Sequence, residues 1–296
     1  MKSRKLVVRA AAVLAAAVAA VAATAAGTAT PDPAQIALRA TDLPGAKVSG
    51  KAQTPSAGYS ASYGRGFSLN KPYGGSQIVF VESDVELANV PATATRDMAG
   101  VKAFLRSSKG KEQLAAAIVK SFGKPVTRKN LTFGLLRTPR IGDEAIEIPA
   151  TVKLKTSKVY TALTFFRVDR AFATLTTIGL RPTVQGDIVK LGSLVVRHAG
   201  EQFVPAVAGP PTIAGTAIQG QTLTAAPGAW TNTPTLTHQW QHCDATGAAC
   251  ADIAGATTAT YVVAPADVGA TLRVTVTGTN RFGNATSQSV QTAVVA

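Results

Sequence analysis

Residues 209–296 constrain the fold more than any other part of this chain. Short β-forming runs there are separated by glycine and proline turns. They carry Trp230, Trp240, a Cys243…Cys250 pair, Tyr261, the run Ala266-Asp267-Val268-Gly269 and Asn280. Aromatic and β-branched residues in short runs of this kind suit facing sheets. The segment reads as a small β-sandwich stapled by a disulfide, a module type that displays or binds and rarely performs chemistry.

The amino terminus bears on whether that staple can form. Lys2, Arg4, Lys5 and Arg9 precede an Ala/Val/Leu run from Ala10 to about Ala23, and Ala23-Thr24-Ala25 offers a cleavage site before Ala26. This is the layout of a secretory signal peptide over residues 1–25. A membrane span needs ~20 strongly apolar residues, and this run is shorter and mostly alanine. No twin arginine precedes it, which favours general export. With no cysteine for lipid attachment and no later apolar stretch of spanning length, no membrane anchor is expected after cleavage. The expected location is extracellular or at the cell envelope. In that compartment two cysteines are most simply one disulfide, because too few further ligands lie nearby for a metal. Closing so short a loop contributes roughly 2–3 kcal/mol in the chain-entropy model.

Charge is divided unevenly. Residues 32–204 hold 24 Lys and Arg against 13 Asp and Glu, whereas the segment after 209 holds two bases and three acids. Most of the excess lies between Arg96 and Arg140. Lys102, Arg106, Lys109, Lys111, Lys120, Lys124, Arg128 and Lys129 form a candidate anion-binding face there. In a cytoplasmic protein such a face would suggest nucleic acid. For an exported chain no nucleic acid is expected, and anionic wall polymer, a lipid surface or an acidic glycan is the expected partner. The same helical spacing also fits an ordinary solvated face that selects nothing.

Length and the shift in composition indicate two domains. Residues 26–33 read as a tether. An α+β domain follows over 34–204, as an antiparallel sheet with helices packed on one face. A Pro-rich extended linker covers 205–211, and the all-β module covers 209–296. Asp32 and Pro33 start a short helix running to about Ala40. Strands are expected at 59–67, 77–83, 130–138, 144–154, 158–168 and 171–180, with Asp169-Arg170 as a tight hairpin turn. Helices are expected over 92–107, 111–122 and 184–199. In the last module, strands fall near 220–224, 236–242, 259–263, 272–279 and 287–295. Leu236, His238 and Trp240 share one strand face, and Leu272, Val274 and Val276 share another, so these faces should meet in the core.

The string Gly220-Gln221-Thr222-Leu223…Gly228-Ala229-Trp230…Gln239-Trp240-Gln241-His242-Cys243…Cys250…Thr260-Tyr261…Asp267-Val268-Gly269…Leu272-Arg273-Val274…Asn280 resembles a bacterial immunoglobulin-like module. Such modules are common in secreted and surface proteins of high-GC Gram-positive bacteria. The resemblance implies an immunoglobulin-like β-sandwich and an extracytoplasmic location, but no ligand. His238 stands where that family often has an aromatic residue. The middle domain is similar to extracytoplasmic sensor-type domains of actinobacterial envelope lipoproteins and receptor kinases. The matching pieces are Leu38-Arg39-Ala40-Thr41-Asp42-Leu43-Pro44-Gly45, Gly142-Asp143-Glu144-Ala145 and a closing amphipathic helix. Those relatives are often lipidated or membrane-tethered, and this chain lacks the lipid-accepting cysteine.

Catalytic constellations are sparse. Asp143, Glu144 and Glu147 form the one carboxylate cluster that this reading identifies, and a glycosidase needs two carboxyl groups ~5–10 Å apart across a bond. A Gly-Asp-Glu turn whose aspartate accepts from nearby amides is the commoner use of such a sequence. His198, near the end of the last helix, suits an interaction with the helix dipole. His238 suits packing beside Trp240. Tyr59, Tyr63, Phe67 and Tyr73 with Arg65 would make either a stacking platform for sugars or one face of a core strand. No Walker sequence, GxGxxG or HExxH occurs, so no catalytic residue, metal or cofactor is expected. The expected function is a non-enzymatic envelope or extracellular binding protein that engages an anionic partner through the basic domain. A glycan or peptide hydrolase with an accessory module, and a small-ligand sensor or carrier, are the alternatives.

Overall fold

The computed structural model describes residues 31–124, 126–232 and 234–296. The expected signal peptide and residues 26–30 of the expected tether lie outside the described residues. The chain divides into two compact units, one ending at Gln202 and the other spanning Phe203–Ala296. Among the described residues no helix is long and apolar enough to cross a membrane.

The first unit opens with α1 (Pro33–Ile36), shorter than expected but capped as expected, since the Asp32 carboxylate accepts the Ala34 amide at 2.8 Å. Its strands are β1 (Lys47–Gln53), β2 (Tyr59–Tyr73), β3 (Ile78–Ala88), β4 (Leu131–Phe133), β5 (Glu144–Lys153), β6 (Lys158–Val168) and β7 (Ala171–Gly179). They form one antiparallel sheet in the order β1-β2-β3-β7-β6-β5-β4. Two helices, α2 (Pro91–Arg106) and α3 (Ser108–Phe122), fall between β3 and β4, and α4 (Gln185–Phe203) closes the unit. The β6–β7 turn uses Asp169 at a left-handed φ of 54°.

Strand alternation sorts the sheet into two faces. Ile146, Ile148, Leu163, Phe165 and Phe172 point toward Met98, Leu105, Leu114 and Ile118 of α2 and α3, forming one core. Ala145, Glu147, Ala162, Thr164, Phe166, Ala173, Leu175 and Thr177 point the other way, and they are buried too. The segment after α1 lies on that second face. There Leu38 donates its amide to Ser83 Oγ and accepts Arg65 Nη1 at its carbonyl. Helix α4 joins this segment through Arg39–Glu201 and buries Ile188, Leu191, Val195 and Ala199, none of them part of the α2/α3 core. The sheet is therefore covered on both faces, which corrects the expectation of helices on one. The near-continuous burial along β5–β7 is the mark of a two-sided strand.

The second unit contains β8 (Ala206–Gly209), β9 (Thr212–Ala214), β10 (Thr222–Ala226), β11 (Ala229–Thr231), β12 (Thr235–Cys243), β13 (Ala251–Asp252), β14 (Thr260–Val262), β15 (Thr271–Asn280) and β16 (Gly283–Gln288). They build a four-stranded sheet β13-β12-β15-β16, a three-stranded sheet β14-β10-β9 and the pair β11-β8. Residues 206–209, within the stretch read as an extended linker, are thus extended but paired to β11. Leu223 and Ala225 from the three-stranded sheet share one core with Trp240, Leu272, Val274 and Val276 from the four-stranded sheet. Trp240 is wholly buried, donates Nε1–H to Thr258 O at 3.0 Å and stacks on Tyr261 at 5.6 Å between ring centres. Cys243 and Cys250 form the disulfide. The last strand spans 283–288 rather than 287–295, although Ser289, Thr292 and Val295 still donate amides to β15 or the residue before it.

Candidate functional site

The structure separates the carboxylates that the sequence brings together. Asp143 accepts Arg167 Nη1 at 2.9 Å and the Asp169 amide at 2.8 Å, bracing the β6–β7 turn. Glu144 begins β5 on the α2 side and pairs with Lys102. Glu147 projects from the opposite face, wholly buried, where Arg137 Nη1 meets its Oε1 at 3.2 Å. Burial pushes the Glu147 carboxyl up, and Arg137 opposes that shift. No bond can lie between Glu144 and Glu147, because the sheet itself does. The three do not form a two-carboxylate site.

The basic face is assembled in part. Lys102 is taken up by Glu144, and Lys111 is half-buried. Arg128 donates to Leu131 O at 3.0 Å and lies over the Phe133 ring. Arg106, Lys109, Lys120, Lys124, Arg128 and Lys129 are exposed, and none has a carboxylate partner among the described residues. Lys109 and Lys120 stand about 16 Å apart along α3 at the helical rise. The cations form an elongated ribbon with no common focus.

The aromatic row also divides. A bulge between Tyr59 and Ala61 moves Tyr59 to the α2 side, where its hydroxyl donates to Asp97 at 3.0 Å. Phe67 is buried on the opposite face, and Tyr63 lies under the Arg65 guanidinium. The bulge breaks the period-two pattern that made the row look continuous. No stacking platform results.

His198 is wholly buried, with Nε2 3.6 Å from Asp42 Oδ1. Burial pushes its pKa down more strongly than Asp42 raises it. Its neighbour is a carboxylate in the core, which replaces the expected role at the helix end. His238 is half-buried opposite Val276, with Nε2 enclosed and unpartnered.

A concave site lies elsewhere on the first unit. The turn at 42–46 and the end of β2 at 69–73 line an open cleft of ≈ 470 Å³. Leu43, Pro44, Leu69 and Pro72 give it apolar walls, while Lys71, Asn70 and Tyr73 supply polar groups. Gly45 takes a left-handed φ of 77°, and its carbonyl accepts Asn70 Nδ2 at 3.1 Å, tying the two walls together. Asp42 also lines the cleft and is engaged within the protein: its Oδ2 accepts the Arg39 amide at 2.7 Å, and Arg197 lies 3.8 Å from Oδ1. The Tyr73 hydroxyl has its pKa raised, first by burial and then by Asp187, so it stays a donor at neutral pH. The sequence shows the 42–45 turn but not its partner wall at 69–73, which only the sheet brings alongside.

Sequence reading also missed a second acidic row. Glu82, Asp84 and Glu86 alternate along β3 and share the α2-side face, opposite Gly66, Gly64 and Ser62 of β2. The alternation from Val81 to Leu87 was the available signal. Glu86 is used internally, accepting the Ser56 amide and hydroxyl. Asp84 Oδ1 accepts Gln53 Nε2 at 3.0 Å. Burial raises Glu82 to about 8 and Asp84 to about 6.

No family model matches the chain, and no curated protein matches it. Among solved structures, the extracellular domain of PknH from Mycobacterium tuberculosis is similar over 56% of this chain and 93% of that one, at 11% identity and a TM-score of 0.35.

Proposed function

We propose that this is an exported, non-enzymatic binding protein whose first unit takes a small amphipathic molecule in the cleft between residues 42–46 and 69–73. The second unit is read as an immunoglobulin-like sandwich serving as spacer or contact module. The cleft carries the proposal. Its size falls in the range of small-molecule sites, and apolar walls with a few polar groups are the usual composition of such sites. Leu43, Leu69, Pro44 and Pro72 would cover an apolar body, and Lys71 would meet an anionic end. The leader-like amino terminus and the Cys243–Cys250 disulfide support an oxidising compartment. Titration with octanoate, an anionic amphiphile of suitable size, tests the reading. Saturable binding that weakens at least tenfold in Leu69→Glu and several-fold in Lys71→Glu is expected. Equal binding by all three proteins would exclude the cleft.

A second reading keeps the basic ribbon. Six exposed cations spread along α3 and its flanks suit an extended polyanion better than a compact anion. Such attachment would weaken steeply between low and physiological salt, and salt-independent adhesion to anionic wall polymer would rule it out.

A further inference from the structure

We propose that one end of the first unit's sheet docks on the surface of an anionic lipid bilayer. Strand register defines that end. Tyr73, Ile78, Gly179, Tyr160, Thr151 and Thr132 are successive cross-strand partners and form one rank from β2 to β4. A few residues beyond this rank, all on the same side of it, come Arg128 and Lys129 before β4, Lys153, Lys155 and Lys158 around the β5–β6 hairpin, and Arg181 after β7. All six are exposed, and none pairs with a carboxylate among the described residues. The surrounding sequence supplies no acid either: residues 113–142, 148–168 and 170–186 contain no Asp or Glu. Asp187, which follows, is only 5% exposed and is taken up by the Ser76 amide and hydroxyl. Carboxylates gather at the opposite end of the sheet, where Asp143 and Glu144 lead into β5 beside the Asp169 turn.

Charge alone would suit any polyanion, and the apolar side chains at this end favour a bilayer. Leu180 and Val184 are 44% and 45% exposed on the segment that leads from β7 to α4. Backbone hydrogen bonds hold that segment in place. Leu180 and Arg181 donate their amides to Gln77 O and Ser76 O, and Val184 donates its amide to Ser76 Oγ. Thr183 O accepts Arg137 Nη1 at 3.3 Å. The segment is thus pinned to the β2–β3 turn, with Arg181 between its two exposed apolar residues. A dissolved polyanion gives Leu180 and Val184 nothing to bury against. A bilayer interface takes apolar side chains below its headgroups and keeps lysine and arginine at headgroup level. Each base close to an anionic leaflet adds to the attraction. Lys71 lies inside the rank and belongs to the cleft wall, so it is not counted in the set. The proposal is therefore independent of the cleft, although Arg128 and Lys129 also belong to the ribbon.

Co-sedimentation of the full chain with lipid vesicles at low salt tests this. Binding to vesicles of equal parts phosphatidylglycerol and phosphatidylcholine, and not to phosphatidylcholine alone, is expected. The double variant Lys155→Glu/Lys158→Glu should lower the vesicle partition at least tenfold. Leu180→Ser/Val184→Ser keeps every charge and should lower it about fivefold. Soluble polyglutamate is the comparison, because it presents anionic groups without an apolar layer. Its binding should be the same in Leu180→Ser/Val184→Ser as in the native chain. All four positions are exposed, and thermal melts check that both variants fold. Three results would overturn the proposal: no preference for phosphatidylglycerol, a vesicle partition unchanged in either double variant, or equal losses on vesicles and polyglutamate in Leu180→Ser/Val184→Ser. The last would return this surface to the polyanion reading.

Discussion

Glu144 and Glu147 stand three residues apart on β5 and on opposite faces of the sheet, one paired with Lys102 of α2 and the other with Arg137. Their environments differ accordingly. Glu144→Ala removes a half-buried surface pair and should cost less than about 1 kcal/mol. Glu147→Ala leaves a cavity and strips Arg137 of its partner, at roughly 2–4 kcal/mol. The double variant should be additive within about 0.5 kcal/mol in urea denaturation, since the two share no partner. A coupling above 1 kcal/mol would mean the carboxylates sense one another.

Glu82 ties stability to alkaline conditions. Its folded pKa of about 8 lies above the ordinary carboxylate value of 4.5. The folded state therefore holds a proton that the unfolded state loses, and stability falls as pH rises between those values. Glu82→Gln should be more stable than the native protein at pH 8, on the order of 2 kcal/mol after allowance for screening, and equal to it near pH 4. Thermal melts across that range check the sign.

His198 acts in the opposite direction. Its pKa is lowered in the folded state, so the unfolded chain binds a proton more readily and stability declines as pH falls below about 6.5. Arg39, Arg197, Asp42 and Glu201 surround it and contribute to the balance. His198→Gln should flatten the pH–stability curve on the acid side of pH 6.5. An unchanged acid limb would show that His198 is not the group responsible.

The second unit should respond to reduction while the first does not, because both cysteines lie in it. Reducing Cys243–Cys250 should lower its stability by roughly 2–3 kcal/mol. Trp240→Ala should cost about 3–5 kcal/mol in the same unit, through lost burial against Leu272 and Val274. Tryptophan fluorescence follows these changes selectively, since Trp230 and Trp240 both belong to it.

Much of the architecture was readable because hydrophobic patterning set it. Strands β5 to β7 and helices α2 and α3 carry long apolar patterns, and their positions emerge within a few residues. Strand β1, Lys-Val-Ser-Gly-Lys-Ala-Gln, was invisible because nearly all of it is exposed on both faces. It is held by backbone pairing to β2 and by the Gln53 side chain at its end, which reaches Asp84, and no alternation results. The sites were harder for a related reason. The cleft joins residues 42–46 to 69–73; sheet register makes them neighbours, and no local spacing reports it. The cluster at 143–147 failed the other way, since closeness in sequence on a strand gave opposite faces.

An amide chemical-shift map of the full chain during octanoate titration tests the cleft assignment most directly. Shifts concentrated at residues 42–46 and 69–73, with 106–129 and 143–147 unmoved, are the expected result. Shifts confined to the basic ribbon, or spread without a focus, would contradict it.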